Sequence, residues 1–259
     1  MITSIYFHKP SRRLFDQCIR WLKKYGYVFI SVDELTDILD GTKPLPRGAV
    51  WLSLDDGWRE VLDNVLPVIR AHHVPVTLFI PSGIVEGEGL FHWLGAPPDR
   101  DLAPGLRDAI TIDELKELSA HPEVTIGGHT VTHPLTTQCT DAEICFELGE
   151  SKRALECWTG KAVTSFAYPC GEVGGNERRF LREFGYRLAA TTNNGFITED
   201  ADHFLVPRFS VADDIPFLEA ICNMVGVWTP AVDRLKLFKP TPVISSAKGM
   251  MRRAAGLSS

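Results

Sequence analysis

The strongest constraint on this chain is an alternation that recurs along most of its length. Short apolar, β-favouring runs are separated by stretches with helical periodicity. Strands are expected at Ile2–Phe7, Tyr27–Ile30, Ala49–Leu54, Val76–Ile80, Val124–Ile126, Val163–Ala167, Leu188–Thr191 and Leu205–Val206. After Ser11, the residues Leu14, Cys18, Trp21, Leu22 and Tyr25 recur at helical spacing as a buried face, and Gly26 stops them. Ser31 with Glu34, Thr111 with Glu114, and Thr140 with Glu143 give three capping boxes, while Gly160 and Gly185 stand where helices should end. Strands joined through helices must pair in parallel. The expected class is α/β, either a (β/α) barrel or an open doubly wound sheet. A length of 259 residues favours a single barrel domain of about seven or eight parallel strands. We place that domain at residues 1–233 and a basic C-terminal tail at 234–259.

Charge narrows the function classes. The chain has 27 Lys+Arg against 33 Asp+Glu, a net −6, so nucleic acid is not an expected partner, because phosphate binding needs a concentrated basic surface. The tail departs from this average: Arg234, Lys236, Lys239, Lys248, Arg252 and Arg253 occur there with no acid. A disordered end is the simpler expectation, and weak contact with an anionic membrane surface is the other. The opening MITSIYFHKPSRR lacks the apolar stretch of a secretory leader, and no run approaches the roughly 18 apolar residues of a membrane helix. Six cysteines without CxxC spacing suit reduced thiols. The expected location is cytoplasmic, peripheral at the inner membrane if the tail binds it. The oligomeric state is left open. The Gly- and Pro-rich segment from Pro81 to Pro104, with Phe91, His92 and Trp93, reads as a long loop that either walls a site or packs on the surface.

Chemistry-bearing residues gather at strand ends. Val50–Leu54 runs into Asp55-Asp56-Gly57, which is either an Asp-Gly turn or a pair of carboxylates that a cation would keep ionised. The run ending at Ile126 leads into Gly127-Gly128-His129-Thr130-Val131-Thr132-His133-Pro134. Two histidines four apart on one side of a helical turn are about 6 Å apart along the axis, close enough for one ion. Two imidazoles and one carboxylate leave positions open for water and substrate, as catalytic metal sites require. Phe166-Ala167-Tyr168-Pro169-Cys170-Gly171, His8 and Arg208 also follow strands. Singly, they read as a Pro-Gly turn with a core Tyr, a surface or core His, and a salt-bridge Arg. Their shared placement is where an α/β barrel collects its active site. His72, His73, His92, His121 and His203 lack that placement and are read as structural or exposed.

These motifs resemble those of the polysaccharide deacetylase family, the NodB-homology carbohydrate esterases. Asp55-Asp56-Gly57 is similar to the family's Asp-Asp-Gly motif, and His129-Thr-Val-Thr-His133-Pro134 to its His-[Ser/Thr]-x-x-His-Pro motif. Phe166-Ala-Tyr168-Pro169-x-Gly171 resembles the Phe-Ala-Tyr-Pro-Tyr-Gly motif of a branch that includes exopolysaccharide deacetylases. Cys170 stands where that branch usually has Tyr, and Leu54 where Phe usually precedes the Asp pair. The resemblance runs from about residue 2 to about residue 212. It implies a distorted (β/α) barrel around one divalent metal ion, with Zn²⁺ the first choice and Co²⁺ or Ni²⁺ as alternatives. It further implies that Asp56, His129 and His133 hold the metal, that Asp55 is the general base, and that Tyr168 offers a backbone N–H to the oxyanion. His8 would be the general acid, and Arg208 would orient or tune Asp55.

The implied reaction removes an N-acetyl group from an amino sugar or glycan. A metal that acidifies water and polarises the carbonyl, a carboxylate that takes the water proton and an imidazolium that protonates the amine meet its three requirements. Two alternatives remain at this stage: hydrolysis of another amide or of an O-acetyl ester on the same barrel, and a non-catalytic glycan-binding relative. Presence of both Asp55 and Asp56 speaks against the last, since a metal binder has no need of the base.

Overall fold

The computed structural model describes residues 1–91 and 107–227. Eight parallel strands form one curled sheet: β1 (Thr3–Phe7), β2 (Val28–Ile30), β3 (Ala49–Leu54), β4 (Val76–Ile80), β5 (Val124–Gly128), β6 (Ser165–Ala167), β7 (Leu188–Ala190) and β8 (Phe209–Ser210). Their order is β7-β6-β5-β4-β3-β1-β8, with β2 paired to the start of β3. Single bridges between Ala190 and Val206 and between Ile2 and Ile197 draw the two ends together. The result is a distorted (β/α) barrel, as expected. The expected strand at Leu205–Val206 shrinks to one bridge. Pro207 follows without an N–H to pair, and the strand proper begins at Phe209.

Helices α1 (Arg12–Lys24), α2 (Val32–Leu39), α3 (Leu66–His72), α4 (Ser82–Glu86), α5 (Ile112–Ala120), α6 (Asp141–Thr159) and α7 (Glu177–Glu183) lie between strands, and α8 (Phe217–Met224) follows β8. Capping fixes their starts. Ser11 accepts from the Leu14 N–H, and the reciprocal boxes at Ser31/Glu34, Thr111/Glu114 and Thr140/Glu143 all form. Helix α1 buries Leu14, Phe15, Cys18, Ile19 and Leu22, but Tyr25, expected on that face, is 61% exposed because the chain leaves the helix there.

Strand parity divides the core. Ile5, Phe7, Val50, Leu52, Leu54, Leu78 and Ile80 pack outward against the helices, whereas Ile2, Trp51 and Phe79 belong to a second apolar cluster. With period-two alternation, Trp51 and Ser53 therefore share the inner face, and Asp55 continues it. Among the described residues no helix is long and apolar enough to cross a membrane. The tail, its membrane contact and the boundary at 233 lie outside the described residues, as do His92 and Trp93; Pro81–Phe91 is described and contains α4.

Candidate active site

Strand phase and four left-handed residues build the site. Asp55 follows β3 in phase with the inner face, its N–H donating to Phe7 O at 3.0 Å. Asp56 would then point outward, but its φ of 72° and the 68° of Gly57 reverse the chain and bring the second carboxylate back to the same cavity. Gly57 is required twice over there, since a Cβ would also meet Ile80 Cδ1 at 2.9 Å. Among the described residues, four of the five non-glycine residues with positive φ are Asp56, His133 and Cys170, which line the cavity, and Thr130, next to His129. Strain concentrated in one place marks a functional region.

Asp56, His129 and His133 form a group able to hold a metal ion: their ligand atoms lie within 4.8 Å of one another. Asp56 Oδ1 faces His129 Nε2 at 3.4 Å and His133 Nε2 at 3.5 Å. His129 Nδ1 lies 2.7 Å from Ala167 O, so this nitrogen donates and Nε2 is the nitrogen turned to the group, able to bind once it has lost its proton. That is the arrangement of a metal-ligating histidine. The expected helical turn is absent, however. His129 closes the inner face of β5, and a loop with left-handed Thr130 and His133 folds the second imidazole back, leaving the ring centroids 4.8 Å apart.

Electrostatics leave Asp56 and His133 ready to bind, while His129 holds a proton that an ion would displace. Burial acts to raise the Asp56 carboxyl, but the His129 hydrogen bond and the nearby His8 and His133 outweigh it and hold the group down at about 2. Burial, assisted by His129, lowers His133 to about 4, so it is neutral near pH 7. Burial acts to lower His129, yet the hydrogen bond to Asp56 and the two aspartate charges raise it above its ordinary value.

Asp55 stands apart from that group. Arg208 grips it bidentately, Nη1 to Oδ1 and Nη2 to Oδ2, both at 2.8 Å. The guanidinium also donates to Ser53 Oγ and to Thr191 O, each at 2.9 Å. It lies between Tyr6 and Phe79, 4.4 and 5.5 Å from their ring centres, and is wholly buried. This fork occupies one lone-pair site on each carboxylate oxygen and leaves others for a proton donor. His8, one residue past β1, places Nε2 4.0 Å from Asp56 Oδ2 with its side chain 38% exposed. His8, Asp55, Asp56, His129 and His133 thus line one cavity of about 380 Å³.

Tyr168 needs correction. Its N–H donates to Ala190 O at 3.0 Å, so it is not available to an oxyanion, and its hydroxyl donates to Phe204 O. The N–H is taken because it extends the β6–β7 pairing one residue past Ala167, and strand parity puts the Tyr168 ring with Phe166 in the sheet–helix layer. The same loop reaches the cavity at Cys170. Sequence reasoning also missed Glu147, whose carboxylate accepts from Val131 N, Thr132 N and Thr132 Oγ1 at 2.6, 2.9 and 2.7 Å and anchors the loop between the histidines. It missed Trp58, whose indole N–H donates to Asp56 Oδ2. Of the histidines set aside, His72 pairs with Asp16, His73 with Glu123 and His203 with Asp40, all away from the cavity.

Comparison with known proteins agrees with this geometry. The family profile described as polysaccharide deacetylase matches residues 42–189, which carry Asp55, Asp56, His129 and His133. The chain belongs to the polysaccharide deacetylase family. It is 25% identical over 227 residues to the poly-beta-1,6-N-acetyl-D-glucosamine N-deacetylase of Staphylococcus aureus strain MSSA476, covering 81% of this chain and 73% of that one. The protein of the same name from Staphylococcus epidermidis is 24% identical over 203 residues, 77% and 67% of the two chains. In fold, the chain is similar to Streptococcus pyogenes deacetylase PplD in complex with acetate (TM-score 0.69, 20% identity, 86% and 96% covered). It is also similar to IcaB from Ammonifex degensii (TM-score 0.68, 21% identity, 86% and 97% covered).

Proposed function

We propose that this polysaccharide deacetylase is a metal-dependent hydrolase that removes the N-acetyl group from an amino sugar in a glycan. The observation that carries the reading is the division of labour between adjacent carboxylates. Asp56 joins His129 and His133, while Asp55 shares their cavity yet is held by Arg208. The poly-N-acetylglucosamine N-deacetylases among its relatives support the substrate class.

Asp56, His129 and His133 would hold one divalent ion. Two imidazoles and one carboxylate suit Zn²⁺ best, with Co²⁺ or Ni²⁺ as substitutes. When bound, such an ion supplies Lewis acidity for the acetamide carbonyl and for water. Asp55 accepts the proton of the attacking water through the lone pairs that Arg208 leaves unused. His8 gives a proton to the departing amine, a role suited to a partly exposed imidazole at the cavity wall. In place of the Tyr168 amide, the Cys170 amide in the same turn meets the developing oxyanion. Arg208 is a positioning residue that keeps Asp55 in place.

The test is acetate release from monosaccharide, nucleotide-linked, lipid-linked and oligomeric N-acetylglucosamine substrates, assayed with metal-loaded protein alongside O-acetylated sugars. Release from an N-acetylated glycan supports the reading. Turnover of O-acetyl esters alone, or no turnover of any substrate by fully loaded protein, overturns it.

A further inference from the structure

Asp56 gives its two oxygens different neighbours. Oδ1 faces the imidazoles of His129 and His133, whereas Oδ2 accepts the indole N–H of Trp58 at 3.2 Å. This second contact follows from the turn. Two consecutive left-handed residues, Asp56 and Gly57, fold the chain so that Trp58 returns beneath the carboxylate two positions before it. The indole is itself clamped. It is 5% exposed, Phe91 meets it edge-on with centroids 4.3 Å apart, and the Lys9 ammonium lies 3.8 Å from the ring centre. A buried indole N–H requires an acceptor, and here that acceptor is a candidate metal ligand.

We propose that Trp58 is a positioning residue for the metal centre. Its N–H holds Oδ2 and thereby commits Asp56 to offering Oδ1 alone to the ion, which leaves coordination positions for water and substrate. The inference rests on the reading that Asp56, His129 and His133 hold the metal. Outer hydrogen bonds of this kind fix the orientation of ligating groups and tune their affinity.

The experiment is a Co²⁺ titration of metal-stripped full-length protein, followed by its visible d–d absorption, on the wild type and on Trp58→Phe, Phe91→Leu and Asp56→Ala. Trp58→Phe keeps a buried ring and removes the N–H. It is expected to weaken Co²⁺ binding about tenfold, and to lower band intensity as the freed carboxylate supplies both oxygens. Phe91→Leu loosens the packing but keeps the N–H, and should bind within about twofold of the wild type. The proposal is overturned if Trp58→Phe matches the wild type in affinity and spectrum, or if Phe91→Leu weakens binding as much as Trp58→Phe. Should Trp58→Phe fail to fold, site-specific β-(3-benzothienyl)alanine at position 58, with sulfur in place of the N–H, gives the same comparison. Asp56→Ala isolates the underlying reading: undiminished Co²⁺ binding in that variant would reject the metal group itself, independently of Trp58.

Discussion

Arg208 and Asp55 meet through two parallel 2.8 Å hydrogen bonds although 153 positions separate them in the chain. The pair ties the segment before β8 to the end of β3 and holds Asp55 in the cavity wall. Removing one partner from a buried pair leaves an uncompensated charge and costs about 3–5 kcal/mol, while replacing both with apolar groups is often close to neutral. Arg208→Met should therefore destabilise the protein by about that amount, and Arg208→Met/Asp55→Leu should recover most of it while remaining inactive. Denaturant unfolding of the four members of the cycle checks this. A double variant no more stable than Arg208→Met would show that the pair's worth lies elsewhere.

Glu147 acts at a distance from the chemistry. Its carboxylate receives three hydrogen bonds from Val131 and Thr132, in the loop that folds His133 back towards His129. Glu147→Gln replaces one acceptor oxygen with a donor, which should cost about 1–3 kcal/mol of stability and weaken metal binding about tenfold. Thermal melts and equilibrium metal titration read the two effects separately, and normal affinity in a destabilised variant would confine Glu147 to the fold.

Metal loading should release a proton. The hydrogen bond to Asp56 and the aspartate charges raise His129 despite its burial, so in metal-free protein this imidazole holds a proton above its ordinary value of 6.5. A ligand must be deprotonated, so affinity should rise with pH, up to about tenfold per unit, until pH passes the His129 value. By the same linkage, His129 stabilises the metal-free fold fully below about pH 6.5, and that contribution is lost as pH rises through the elevated folded-state value. Calorimetric Zn²⁺ titration near pH 6.5 in two buffers of different protonation enthalpy should show release approaching about one proton; uptake, or none, would contradict the coupling.

Much of the fold was legible because it depends on local patterns. Eight β-like runs and three capping boxes can be read from single residues and short spacings, and all three boxes form. The last strand was misplaced because pairing with β1 and the missing N–H of Pro207 decide it, not its apolar character. Asp56, His129 and His133 were legible as a group through the family motifs, but the helical turn assumed between the histidines was not, since the left-handed backbone of Thr130 and His133 is a tertiary outcome. The Tyr168 amide is excluded from the oxyanion by its bond to Ala190 O on β7, a pairing that no local pattern announces. Glu147 and Trp58 carried no signal of their own: a Glu within a helix and a Trp after an Asp-Gly turn become meaningful only when the chain brings them to the ligands.

His8 should separate chemistry from folding. Its side chain is partly exposed, so His8→Gln is expected to change stability by no more than about 0.5 kcal/mol. Loss of the general acid should lower kcat for acetate release by about 10²–10⁴-fold. Steady-state kinetics with a parallel melt test this, and near-normal kcat would remove His8 from the mechanism.

The most direct measurement is metal content by mass spectrometry, paired with acetate release, on the wild type and on Asp55→Asn, Asp56→Ala and His133→Ala. The account predicts about one ion per chain in the wild type and in Asp55→Asn, with the latter about 10²–10⁴-fold slower, and little metal in the other two. Full activity in Asp55→Asn, or an undiminished ion content in Asp56→Ala, would contradict it.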